Sequence, residues 1–515
     1  MDLMMVTVGV GPVSFEDVVA VARHGAGVQL GADAVAAIGR ARQVVEDLAA
    51  SPTPAYGIST GFGALATKHI PTAQREQLQR SLVRSHAAGT GPEVEREVIR
   101  ALMLLRLSTQ ATGHTGIRLE TAQLMADLLT HGITPVVREY GSLGCSGDLA
   151  PLAHCALALM GEGDVRDSKG DLMPAAEALR NAGLTPLTLA AKEGLALING
   201  TDGMLGMLVL AIEDLRVLLR TADIAAAMSV EGQLGTDRVF APELHSLRPH
   251  PGQQSSAANI AALLKDSGVV DSHRGPDCNR VQDAYSLRCS PQVHGAARDS
   301  IDHCALVAGR ELQSAVDNPV VLDDGRVESN GNFHGAPVAY VLDFAAIVAA
   351  DVASISERRT DRFLDKSRNN GLPPFLAHDP GVDSGLMIAQ YAQAAVVSEM
   401  KRLANPASVD SIPSSAMQED HVSMGWHAAR KLRKSVDGLT RVLAIEVLTA
   451  ARALNLRAPL EPAPATAAVI ATLREGGVGA PGPDDYLSPQ IEAAVALVGS
   501  GAVLAAAESV LGELK

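Results

Sequence analysis

One stretch limits the fold more than any other: from roughly 419 to 456 the chain keeps an unbroken helical pattern. That far exceeds an average helix, and a helix of such length is held as a spine among other helices. Patterns over 204–219, 338–356 and 386–404 supply long neighbours. Nearer the start, 72–86 reads as an amphipathic helix, with Leu78, Leu82 and Val83 apolar and Arg75, Glu76 and Arg80 outward. Thr72 is its expected N-cap, and the pattern recurs over 93–107 and 118–130. Composition agrees: aromatics are 3% of the chain, so the 47% hydrophobic share rests on Ala, Leu and Val, which suit packed helices better than a β-sandwich. The expected class is mainly α. A chain of 515 residues calls for more than one packed unit. The change in character near residue 200 predicts an N-terminal helical active-centre domain over 1–200 and a long helical bundle over 201–515.

Several functions are disfavoured at once. With 43 Lys+Arg against 58 Asp+Glu the formal net charge is -15, which repels phosphate backbones, so no nucleic-acid partner is expected. Residues 1–12 lack a basic segment ahead of an apolar core and do not read as a signal peptide. The apolar stretches 338–355 and 493–507 are broken by Asp343 and Asp351, or too short, and are expected to be buried core helices with no membrane role. The five cysteines, Cys145, Cys155, Cys278, Cys289 and Cys304, are odd in number and show no CxxC spacing. A reduced cytoplasmic protein with no metal site is expected.

Between 139 and 151 the helical periodicity stops and Gly141, Gly144 and Gly147 crowd together. Within this loop stands Cys145-Ser146-Gly147. The Gly147 nitrogen can attack the Cys145 carbonyl carbon and close a five-membered ring through the Ser146 backbone. Loss of water gives an imidazolone, and loss of the Ser146 hydroxyl as a second water leaves an exocyclic methylene, an electrophile that no ordinary side chain supplies. A Cβ on residue 147 would hinder the approach, so glycine is required there. The side chain at 145 takes no part, so Cys is tolerated. On these residues alone a turn or anion-binding loop remains the commoner alternative, and Cys145 or Ser146 as a simple nucleophile stays open. A nucleophile elbow would need glycine where Asp148 stands.

The run Gly141-Ser142-Leu143-Gly144-Cys145-Ser146-Gly147-Asp148-Leu149-Ala150-Pro151-Leu152-Ala153-His154 resembles the signature of the aromatic amino acid ammonia-lyases and aminomutases, with Cys where that family usually has Ala. Tyr56-Gly57-Ile58-Ser59-Thr60-Gly61-Phe62-Gly63 resembles the family's tyrosine loop, although Ser59 stands where Asn is frequent. Ser85-His86, Asn199-Gly200-Thr201, the run from Gln282 to Arg288, Gly331-Asn332-Phe333-His334 and Gln418-Glu419-Asp420-His421 follow in the family's order. The resemblance covers most of the chain, from about Tyr56 to beyond Glu419.

It implies a 4-methylidene-imidazole-5-one (MIO) group formed from Cys145, Ser146 and Gly147, with no external cofactor, and Asp148 assisting its formation. Tyr56 is implied as the base that takes the β-proton, with Tyr285 at the opposite pole. Arg288 is implied as a bidentate clamp for the substrate carboxylate. Asn199 and Gln282 orient that carboxylate or the ring oxygen, and Phe333 packs beside the ring. His86 and Glu419 match the histidine-specific branch, and a carboxylate at 419 can accept a hydrogen bond from an imidazole N–H. The implied reaction is elimination of ammonia from L-histidine to give trans-urocanate. A homotetramer whose active sites combine residues of three subunits is implied as well. An aminomutase sharing the same electrophile, a fumarase-like eliminase (faintly, through Ser414-Ser415-Ala416-Met417) and an inactive helical assembly protein are the alternatives.

Overall fold

A computed structural model describes the chain except residues 1–3, 52–56, 62–67, 69, 145–146 and 276–280. Helix dominates the described residues, and the strands are fragments of four residues at most. The chain divides into two compact units, each built from three segments. The first comprises Met1–Leu210, Ala305–Asp343 and Pro406–Arg430; the second comprises Ala211–Cys304, Phe344–Asn405 and Lys431–Lys515. This differs from the contiguous 1–200 and 201–515 division expected above. All breaks but the one after Asn405 fall inside long helices: Asp202–Gly232, Ser290–Leu312, Ala336–Leu364 and Gly425–Asn455. A turn-rich linker marks none of these four, so a search for linkers cannot find them.

In the first unit the helix Arg96–Ala111 is buried at every position from Val98 onward. It starts later than the pattern over 93–107 implied, because Thr90–Glu93 forms a strand antiparallel to Arg138–Tyr140. Burying its two inner arginines would be costly without partners. Arg100 donates to the carbonyls of Val21 (2.8 Å) and Leu129 (3.0 Å), and burial lowers its pKa to about 10, still charged at neutral pH. Arg106 donates to the carbonyls of Asn199 (2.7 Å) and Val316 (2.8 Å) and faces Asp202 at 3.3 Å. The fully buried Lys192–Asp317 pair, at 2.6 Å, fastens the segment after residue 304 to the first. The helix expected over 72–86 begins instead as a 3-10 turn, Thr72–Gln74, leading into Arg75–His86, and Thr72 does not cap it.

In the second unit Pro464–Glu475 packs against Ala502–Leu511, which follows Leu487–Gly499 after a bend of 59°. Gly501, at φ +79°, allows that bend. The helix Ser290–Leu312, which the sequence pattern did not reveal, turns Ser290 and His294 inward and both are fully buried. His294 meets the buried Asp223 at 2.9 Å. Polar groups on its inner face hide the 3.6-residue period. The apolar stretch 338–355 lies in Ala336–Leu364, which is long and apolar enough to cross a membrane, yet 61% of its most apolar window is buried. Tyr340, Phe344 and Ile347 stay exposed at spacings of four and three, forming one apolar stripe along the helix.

Candidate active site

The loop before the Leu149–Leu159 helix is gripped from both ends. On one shoulder, the Gly144 carbonyl accepts from Ser423 Oγ (2.8 Å) and from the Gly335 amide (3.2 Å), and the Met424 amide donates to the Leu143 carbonyl at 2.9 Å. On the other, Gly147 lies in a parallel bridge with Gly200, and the Asp148 amide donates to the Gly200 carbonyl at 2.7 Å. Gly147 has φ +73°, and a Cβ there would fall 1.9 Å from the Gly200 oxygen, so only glycine fits. Gly144, at φ +69°, would press a Cβ to within 2.3 Å of Ser423 Oγ. The two residues between these glycines, Cys145 and Ser146, lie outside the described residues, as does Tyr56.

Ser142, absent from the sequence-derived site, ties the shoulders together. Its hydroxyl accepts from the Gly144 amide (3.2 Å) and donates to Asp148 Oδ1 (2.9 Å). Its place in the signature loop was the only sequence hint. Asp148 does not cap its own helix; its Oδ2 accepts from the Met204 amide at 2.8 Å, in the first turn of Asp202–Gly232. Burial raises the Asp148 carboxyl to about 7, against the hydrogen bonds from Met204 and Ser142 that lower it.

That shift has a measurable sign. A carboxyl whose folded pKa lies above its ordinary 3.8 keeps a proton that the unfolded chain has already released. Its contribution is therefore greatest at low pH and declines as pH climbs toward about 7. Asp148→Asn is isosteric with the protonated acid and cannot ionise. Its melting temperature is expected to fall less than the wild type's between about pH 5 and pH 8. Equal slopes in thermal melts would mean that Asp148 is ionised in the fold throughout that range.

Asn199 sits beside Gly200, 3% exposed. Its Nδ2 donates to the Asn318 carbonyl at 3.1 Å, while its Oδ1 has no partner among the described residues. An orphaned buried oxygen next to the bridge that holds Gly147 is what a site shaped around a further polar group would show. Glycines that a Cβ would force apart, an acid whose pKa burial raises to about 7 and this free acceptor all fit a backbone-derived ring between residues 144 and 148.

Glu419 is half-buried in a tight turn, not at a helix N-terminus; the helix begins only at Gly425. Its carboxylate accepts from Ser414 Oγ at 2.9 Å, and the two residues form an antiparallel bridge. Ser415, Ala416 and Met417 between them all have positive φ, a costly conformation for non-glycine residues that clusters at functional sites. His421, two residues on, stacks on His334, with ring centroids 5.6 Å apart and planes 4° from parallel, which sets the Glu419 turn beside the Phe333 turn. His86 ends its helix with Nδ1 at 2.9 Å from the Leu82 carbonyl. A carbonyl can only accept, so the proton sits on Nδ1 and Nε2 is left as the ring's other face.

Gln282, Tyr285 and Arg288 belong to the second unit. The one-turn helix Tyr285–Arg288 leaves Tyr285 72% exposed, and the Arg288 guanidinium lies 4.8 Å from the centre of its ring. Gln282 is exposed, whereas its neighbour Asp283 is buried and accepts from the Thr236 amide at 2.7 Å. Among the described residues, no group of three or more His, Cys, Asp or Glu side chains could hold a metal ion.

The sequence profile of the aromatic amino acid lyases matches residues 13–475. The chain belongs to the aromatic amino acid lyase family and is a carbon–nitrogen lyase. Within it, the chain is 66% identical over 511 residues to the histidine ammonia-lyase of Streptomyces griseus, covering 99% of both chains. It is 49% identical over 500 residues to that of Gloeobacter violaceus, covering 97% of this chain and 96% of the other. Among solved structures, histidine ammonia-lyase from Trypanosoma cruzi superposes with a TM-score of 0.91 at 38% identity, covering 99% of this chain and 96% of that one. Tyrosine aminomutase from Streptomyces globisporus superposes at 0.93 and 36%, covering 99% and 100%.

Proposed function

We propose that this enzyme eliminates ammonia from L-histidine to give trans-urocanate, using 4-methylidene-imidazole-5-one formed from its own Cys145, Ser146 and Gly147. The observation that carries the reading is the two-sided grip on the loop, with Gly147 pressed onto Gly200 where no side chain fits. The relatives named above at 66% and 49% identity are histidine ammonia-lyases, which favours elimination from histidine over the aminomutase alternative.

When present, the group supplies an electrophilic methylene that helps ammonia depart and acidifies the β-position. The remaining work falls to side chains. Arg288 binds the substrate carboxylate through two parallel N–H donors, and Gln282 and Asn199 complete that recognition. Glu419 accepts the imidazole N–H, with His86 at the same end, and Phe333 packs beside the reacting centre. Tyr56 takes the β-proton, with Tyr285 at the opposite pole. Asp148, neutral over much of the pH range, serves ring closure rather than turnover.

The functional assembly is a homotetramer whose active sites draw on three subunits. The exposed apolar stripe of Tyr340, Phe344 and Ile347 and the exposed Tyr285 ring support it, since isolated chains rarely leave such groups in water. The cytoplasm is its compartment, in keeping with the reduced thiols of Cys155, Cys289 and Cys304.

Closing the ring expels two waters, so the intact protein is expected to weigh about 36 Da less than its gene sequence predicts. Mass spectrometry of the whole chain, alongside an assay for urocanate from L-histidine, tests both halves of the reading. A full-mass chain that still makes urocanate would remove the prosthetic group from the mechanism.

A further inference from the structure

We propose that the buried Arg359–Glu446 ion pair is a positioning device for the turn that carries Tyr285 and Arg288. The inference rests on the reading of those two residues as site residues. Both members of the pair are 0% exposed and meet in fork geometry, Nε to Oε1 at 2.5 Å and Nη2 to Oε2 at 2.8 Å. Glu446 also accepts from Ser229 Oγ (2.6 Å) and Ser356 Oγ (2.5 Å), so its carboxylate cannot swing. Gln233 holds the Arg359 carbonyl at 3.1 Å.

The arginine has one arm left over, and it points at the site turn. Arg359 Nη1 donates to the Ser286 carbonyl (3.3 Å) and to Ser290 Oγ (3.2 Å), while Ser290 Oγ donates to the same Ser286 carbonyl at 3.0 Å. Ser286 lies within the single turn Tyr285–Arg288. Tyr285 is too exposed for packing in this chain to fix its ring, and Leu287 is the one fully buried member of the turn. The direction of Tyr285 and Arg288 is thus set through the backbone, and the backbone is held by the cation.

Stability alone does not account for such a pair. Replacing a buried ion pair with apolar residues of similar volume is often neutral or stabilising, whereas a device that aims a turn loses its purpose under the same exchange. Arg359→Met combined with Glu446→Leu in the full-length enzyme separates the two. Ser229 and Ser356 lie in helices and can turn their hydroxyls to the carbonyl four residues back.

The double variant is expected to melt at or above the wild-type temperature and to keep the mass deficit. Its kcat/KM on L-histidine is expected to fall roughly tenfold to a hundredfold, mostly through KM, the scale of displacing a binding group by about 1 Å. Ser290→Ala, which removes only the bridging hydroxyl, provides the milder test should the double variant not fold; KM rises and Ser290→Thr restores it. A folded, matured double variant, or Ser290→Ala, with wild-type KM overturns the proposal. Tyr285→Phe and Arg288→Lys are assayed in parallel. If they too behave as wild type, the reading of the site falls; if they are impaired while the pair exchange is silent, only the positioning role falls.

Discussion

Replacing Ser146 with Ala is expected to abolish deamination while leaving the fold intact. On the proposed mechanism the Ser146 hydroxyl is the leaving group whose departure creates the methylene, and alanine has none to lose. No described side chain near Gly147 offers a substitute electrophile, so the loss is roughly 10³-fold or more, as when the group that carries the chemistry is removed. The melting temperature should move little, because the loop is held at Gly144, Gly147 and Asp148, on either side of the substituted position. Intact mass and initial rates give the answer together. A Ser146→Ala enzyme with more than a few per cent of wild-type turnover would refute the assignment of the reactive centre.

Glu419→Gln is the second large effect and concerns substrate rather than mechanism. Glutamine keeps the volume and an acceptor oxygen but removes the charge, and its amide can present a donor toward the imidazole. A hydrogen bond to a charged group contributes about 1.5–3 kcal/mol, which predicts a fall in kcat/KM on histidine of about 10- to 150-fold. Arg288→Lys should differ in kind: it disturbs the carboxylate common to every amino acid, so all substrates weaken together. Comparing both variants on histidine and tyrosine by steady-state kinetics distinguishes the effects. Unchanged histidine kinetics in Glu419→Gln would leave the substrate open between histidine and another aromatic amino acid.

The glycine pattern of the loop was legible because its demands are local. The proposed ring closure calls for glycine at 147, and the fold independently demands it with a positive φ and a neighbour 1.9 Å from any Cβ. What escaped depends on distant partners. Asp148 opens a helix and so looks like that helix's cap, but its acceptor oxygen serves Met204, 56 residues later. Glu419 looked like part of the last long helix, yet three left-handed residues before it make a turn that propensity disfavours, and the helix waits until Gly425. The fold class was readable from the Ala, Leu and Val content. The helix from Ser290 was not, because its buried face carries serine and histidine satisfied by groups far along the chain.

The grip on the reactive loop also sets a timetable for synthesis. Ser423, which holds the Gly144 carbonyl, lies 279 residues downstream of it. A ribosome that has just released the loop has yet to make Gly200, Gly335 and Ser423, in that order. Until the last of these emerges, the nascent chain cannot assemble all the contacts made by Gly144, Gly147 and Asp148, and the proposed cyclisation is expected to be a late event. If the proposed ring forms, a chain stalled near residue 400 should carry the unreacted tripeptide at full mass, because its container is not yet complete.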